Sequence, residues 1–233
     1  IDLDGTLIDS GPVIFNAARH ALALAGLPEP ADMRPFVGPP LPIGMQTVLG
    51  VPPERVDAVI ADYRAHQEAH LGDTPVYEGI VEACTELRQR GWTLAVATSK
   101  FEVIARRTID VLGLAPYFDA IAGGDEVSAE KPVVIARVLE RLPAEAAGAA
   151  PIMVGDRCYD MEGAAAHGLR SVFAAWGYGP REEGAAADVV AERPQDLVRV
   201  HGVERGLLPP CEVARPEDRS LMLLERIGEL DLR

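Results

Sequence analysis

Asp2 and Asp4 stand one residue apart in Ile1-Asp2-Leu3-Asp4-Gly5-Thr6-Leu7. Alternation along an extended chain would point both carboxylates to one face. Two like charges this close are costly unless a cation shares them, so the pair implies a hard divalent metal. The Gly-Thr turn that follows lets the backbone bend around an anion. Three more polar groups occur farther along: Thr98-Ser99-Lys100, Glu130-Lys131-Pro132 and Gly155-Asp156-Arg157-Cys158-Tyr159-Asp160. Together they offer acids, hydroxyls and an ammonium. Oxygen ligands for a metal, with donors and a cation for phosphoryl oxygens, make a phosphate-plus-magnesium site.

These groups need a scaffold that gathers them. Apolar runs at Trp92 to Ala97, Ala120 to Ala122, Pro151 to Val154, Ser171 to Ala175 and Val189 to Ala191 read as strands. Helical patterns over Glu78 to Arg90, Glu102 to Leu112, Val133 to Leu142 and Met161 to His167 precede or separate them. Strands alternating with helices predict an α/β fold, a doubly wound parallel, Rossmann-like sheet. In such a sheet the ligand lies beyond the carboxyl ends of the strands, and the polar groups above follow strand ends. The opening motif would then follow a first strand, most of which would lie before Ile1.

The stretch from about Val13 to Pro75 carries no strand signal. It reads as helices Val13 to Ala25 and Glu54 to Leu71, joined by a Pro- and Gly-rich segment of short helices and turns. The expected organisation is an α/β core over 1–12 and 76–200, a helical cap over 13–75, and a linker with one further helix over 201–233. Hinges are expected at Ser10-Gly11-Pro12 and Asp73-Thr74-Pro75, with Gly38-Pro39-Pro40 as the lid loop facing the site.

With 22 Lys and Arg against 36 Asp and Glu, the formal charge is −14. That excess disfavours nucleic acid or an anionic membrane as partner, and an anionic substrate must be met by a local positive site. No apolar run is long enough to span a membrane. Cys84, Cys158 and Cys211 have unrelated spacings, which gives neither a zinc pattern nor a disulfide framework and points to a reducing cytoplasm.

The four polar groups, in this order, resemble the four signatures of the haloacid dehalogenase (HAD) superfamily from Ile1 to about Val200. A helical insertion after the first signature resembles the cap of its phosphoglycolate phosphatase and β-phosphoglucomutase branch. Phe36-Val37-Gly38-Pro39-Pro40-Leu41 and Trp176-Gly177-Tyr178-Gly179 look most like phosphoglycolate phosphatase-type hydrolases. The resemblance implies a Mg²⁺-dependent phosphatase acting on a small phosphorylated metabolite, as a monomer or homodimer. Asp2 would be the nucleophile, forming an aspartyl-phosphate, and Asp4 the general acid and then base. Mg²⁺ would be held by Asp2, the Asp4 carbonyl and Asp156, with Asp160 holding a metal-bound water. Thr98, Ser99 and Leu3 would hold phosphoryl oxygens, and Lys131 would neutralise both Asp2 and the transferring group. Dehalogenases of the superfamily lack an acid at the place of Asp4, so Asp4 argues for transfer to or from oxygen.

Two rivals are a β-phosphoglucomutase-like mutase and a non-catalytic regulator that binds a phosphate ligand. The mutases usually carry an acid before the fourth-signature aspartate, where this chain has Gly155. A regulator is expected to have lost a nucleophile or metal acid, and none is lost. Asp160 could instead only cap the following helix. Arg157 reads as a structural ion-pair former and Cys158 as inert. Arg34 and Arg64 are candidate substrate clamps. His66 and His70 have the spacing of metal ligands but no evident third ligand.

Overall fold

The computed structural model describes residues 1–146 and 148–200. The expected linker and helix over 201–233, with Cys211, lie outside the described residues. The strands are β1 (Ala95–Phe101), β2 (Ala120–Gly124), β3 (Ile152–Gly155), β4 (Arg170–Ala174) and β5 (Val189–Ala191). β1 pairs with β2, and β3 with β4 and β4 with β5, all parallel.

The opening residues join these two ladders. Ile1 N donates to Ala95 O at 2.8 Å, and Ala97 N donates to Ile1 O at 2.9 Å. On the other side Asp2 N donates to Val154 O at 2.8 Å. The opening segment therefore lies between β1 and β3, and the layer runs β2, β1, opening segment, β3, β4, β5. This position carries Asp2 and Asp4 to the carboxyl edge between two other strand ends.

Helices α4 (Ile80–Gln89), α5 (Glu102–Val111), α6 (Lys131–Glu140) and α7 (Cys158–Ala166) accompany the strands. Leu3, Leu7 and Ile8 are buried with Ile80, Leu87 and Ile109 on one side of the sheet. Val134, Ile135 and Ala164 pack against Ala97 and Ala122 on another. The core thus clamps the motif's apolar residues and leaves its acids at the rim.

Two strand readings need correction. Trp92 to Leu94 precede β1, and Thr98, Ser99 and Lys100 lie inside it. From Ala97 to Phe101, β1 advances four residues while β2 advances two, from Ala122 to Gly124. The strand absorbs its polar residues as a bulge, which re-aims side chains without ending the strand. Helix α7 also starts earlier than the apolar pattern suggests, so Cys158, Tyr159 and Asp160 form its first turn.

The remaining helices, α1 (Gly11–Ala25), α2 (Leu41–Thr47) and α3 (Val56–Ala69), build an apolar cluster of their own. Leu22, Phe36, Met45, Val59 and Tyr63 are among its buried members. α1 ends where Gly26 adopts a left-handed φ of 64° and its N–H returns to Ala23 O. Gly11 and Pro12 form the first turn of α1, with Ser10 at its N-cap, where Pro has no N–H to waste. No helix of the described residues is long and apolar enough to cross a membrane.

Candidate active site

Asp156 follows the last residue of β3 and is fully buried. The Thr6 hydroxyl donates to its Oδ1 at 3.0 Å and the Tyr178 N–H to its Oδ2 at 2.8 Å. Glycines make the room. A Cβ on Gly5, whose φ is +82°, would come 2.3 Å from Asp156 Oδ2, and one on Gly177 would come 2.3 Å from Asp156 Cβ. Gly5 and Gly177 therefore leave the space that the Asp156 side chain fills.

Asp2 is buried, and Lys131 Nζ donates to its Oδ1 at 2.8 Å and to Ala97 O at 3.2 Å. Lys131 begins α6, and the same Nζ lies 2.7 Å from Asp160 Oδ1. That second contact is an ion pair at hydrogen-bond distance. Asp160 Oδ2 accepts from Arg157 N–H at 3.1 Å, so this acid does cap α7. Asp156 precedes that helix.

Carboxylate oxygens of Asp2, Asp156 and Asp160 all lie within 4.8 Å of one another. Three carboxyl groups face one ammonium, so ionising all three would leave two charges uncompensated in a buried place. Burial first, then the other two carboxylates, raise the Asp156 pKa from 3.8 to about 8. Burial likewise raises Asp2 to about 6, opposed by Lys131. Burial alone would lower the Lys131 pKa, but Asp160 and Asp2 outweigh it and hold the ammonium charged. An all-oxygen set of three buried acids against one lysine fits a hard divalent cation.

Asp4 is placed differently. Lys100 Nζ lies 3.0 Å from its Oδ1, with side chains only 14% and 9% exposed. One acid meets one base, and nothing is left over. The reading of the sequence placed Lys100 near the site but gave it no partner, since 96 residues separate the two.

Asp2, Asp4, Thr98, Ser99 and Lys100 line a cleft of about 210 Å³ that the helical segment walls with Phe36, Gly38, Pro39, Tyr63 and Arg64. The Thr98 hydroxyl accepts from Lys100 N–H at 3.2 Å, which leaves its proton for an acceptor in the cleft. The Leu3 side chain is buried in the core and its carbonyl accepts from Leu7 N–H at 2.9 Å, so its N–H is the part left to serve a ligand.

Other candidates separate cleanly. Arg157 pairs with Glu183 at 3.0 Å, and its Nη1 also donates to Val37 O beside Gly38. Arg34 is 74% exposed at its side chain and tied to Asp32, away from the cleft. Burial pushes the Cys158 thiol up to about 12, which leaves it unreactive. His20 joins His66 and His70 as a third ring, but the rings are stacked at 4.3 and 4.4 Å and do not converge on a point. Tyr178 carried no polar role in the sequence reading; its hydroxyl bridges Asp9 and the Gly11 N–H.

Residues 1–174 match the family model of the haloacid dehalogenase-like hydrolases. The chain belongs to this family. This HAD-like chain is 39% identical over 183 residues to the tyrosine-protein kinase PtkA of Mycobacterium tuberculosis, a match covering 76% of this chain and 62% of that protein. The chain thus spans less than two thirds of that relative's length. It is 32% identical to the phosphoglycolate phosphatase of Aquifex aeolicus, over 85% of this chain and 93% of that one. A predicted phosphatase from Clostridium acetobutylicum shares the fold with a TM-score of 0.76 and 30% identity, over 87% of this chain and 96% of that one.

Proposed function

We propose that this HAD-like hydrolase is a Mg²⁺-dependent phosphatase that releases phosphate from a small phosphate monoester through an aspartyl-phosphate on Asp2. The observation that carries the reading is the excess of buried carboxylate, three acids against one lysine, beside a cleft that also holds Asp4 and Thr98. Asp2, the Asp4 carbonyl and Asp156 would hold the ion, with Asp160 holding its water. Bound there, the ion would offset the charge of nucleophile and phosphoryl group.

The chain's own residues divide the rest of the work. An Asp2 oxygen attacks phosphorus in line, and the bond from phosphorus to the ester oxygen breaks with its electrons leaving on that oxygen. Asp4 gives that oxygen a proton. Water then attacks the acyl phosphate, Asp4 takes a proton from it, and inorganic phosphate leaves with the Asp2 carboxylate restored. Thr98, Ser99 and the Leu3 backbone hold phosphoryl oxygens, and Lys131 counters their charge together with that of Asp2. The helical segment over 13–75 serves as a lid that excludes water during the first step.

Phosphoglycolate is the favoured substrate, on the motif resemblance and the similarity to the Aquifex enzyme. The similarity to PtkA favours a second reading, phosphoryl transfer from a nucleotide to a tyrosine. A screen of phosphorylated metabolites for Mg²⁺-dependent phosphate release, run beside ATP with a tyrosine-containing protein acceptor, decides between them. Release from a small ester, lost in Asp2→Asn, is the expected result; phosphotyrosine without such release would replace the phosphatase reading.

A further inference from the structure

We infer that the cleft takes substrates bearing a second anionic group and that Arg64 is the residue that binds it. This rests on the reading of the cleft as a phosphoester site and adds to it the class of tail. The helical segment from 11 to 75 has four basic side chains apart from histidine, all arginines. Arg19 pairs with Glu29 at 2.7 Å, Arg34 with Asp32 at 2.9 Å, and Arg55 donates to Ala25 O at 2.7 Å. Arg64 is the exception: among the described residues its contact is the Phe101 ring, with the guanidinium carbon 4.8 Å from the centroid.

That contact suits a receptor. A guanidinium stacked on an aromatic face is oriented by it and keeps its N–H donors free along its edge. Phe101 ends β1, one residue beyond Lys100, and both Phe101 and Arg64 line the cleft with Asp2 and Asp4. The cleft's other cation, Lys100, is committed to Asp4. Its remaining acids do not engage Arg64: Asp125 is held by Arg137 at 2.8 Å and by the Val127 and Ser128 N–H groups, and Glu126 is exposed. In a chain of charge −14, an uncommitted, half-buried arginine facing a cleft matches two oxygens of an anion two-pronged. A carboxylate and a second phosphoryl group share that chemistry. A neutral tail has no use for it.

The test compares three substrates with Mg²⁺ on the wild type, Arg64→Gln and Arg64→Lys: phosphoglycolate with a carboxylate, inorganic pyrophosphate with a second phosphoryl group, and glycerol phosphate with a neutral tail. In Arg64→Gln the ratio of kcat/KM for an anionic-tailed substrate to that for glycerol phosphate falls about tenfold or more, mainly through KM, and Arg64→Lys restores part of it. The arm that responds names the anion. Equal loss on all three substrates, or an unchanged ratio in both anionic arms, overturns the inference while leaving the phosphatase reading standing. Absence of release from any substrate removes that reading instead. Binding then decides alone: with Asp2→Asn, phosphoglycolate or pyrophosphate raises Tm more than glycerol phosphate does, and adding Arg64→Gln abolishes the difference. No such difference overturns the inference.

Discussion

Asp156 and Asp4 are both acids at the carboxyl edge of one sheet, yet their surroundings are opposite. Asp156 shares a buried space with Asp2 and Asp160 against a single lysine, and its proton is held up to about pH 8. Asp4 pairs with Lys100 at 3.0 Å, in a cleft wall. An unbalanced buried cluster costs stability until a cation enters; a balanced pair does not. The contrast fits the proposal that a cation enters at the first place while the Asp4 side chain serves the cleft.

The harshest way to break the contrast is to remove the group common to cluster and cleft. Asp2→Asn is expected to lower turnover about a thousandfold or more while circular dichroism stays unchanged. Substantial remaining activity would end its role as nucleophile. Stripping divalent ions with a chelator is expected to abolish turnover, and adding Mg²⁺ to raise the Tm of the wild type but not of Asp156→Asn. Equal rises in both would place the ion elsewhere.

Crowding the cluster sharpens the point. Gly177→Ala would set a methyl 2.3 Å from Asp156 Cβ and 2.4 Å from Gly5 O. Overpacking of this kind costs about 1–3 kcal/mol, and denaturant unfolding reads it. On the other side of the contrast, Lys100→Met is expected to slow turnover about tenfold through loss of Asp4 side-chain positioning. Unchanged turnover would mean that the ion pair does not position Asp4.

The smallest effect is on pH and stability. Asp156 has a folded pKa of about 8 against 3.8 ordinarily. Between those values the folded, metal-free chain keeps a proton that the unfolded chain has released. Stability therefore falls as pH rises through that window, and the part due to Asp156 is intact only below about pH 4. In chelator, the Tm of Asp156→Asn relative to wild type is expected to climb by a few degrees between about pH 5 and pH 8. A difference that stays flat across that range would contradict the burial argument.

Much of this was legible in the sequence because each signature is local. Asp2 and Asp4, Lys131 before Pro132, and Asp156 after an apolar run can be read from neighbours alone, and the alternation of strands and helices fixes that they meet at one edge. What could not be read depends on distant partners. Lys100 looks like one cation among 22 until the bulge in β1 aims it at Asp4. Thr6 and Tyr178 hold Asp156 from opposite ends of the chain. Arg34 and Arg64 are equivalent in sequence; packing turns one to solvent and the other to the cleft. The start of β1 was misplaced because Trp92 is apolar without being a strand residue, and the role of Gly177 emerges only when Asp156 is beside it.

The account stands on Asp2 becoming the phosphoryl carrier. Rapid acid quench of the wild type turning over a small phosphate monoester with Mg²⁺, followed by peptide mass analysis, tests that directly. The predicted result is a hydroxylamine-sensitive acyl phosphate on the peptide carrying Asp2, absent from Asp2→Asn. A phosphoryl group on any other residue would contradict it.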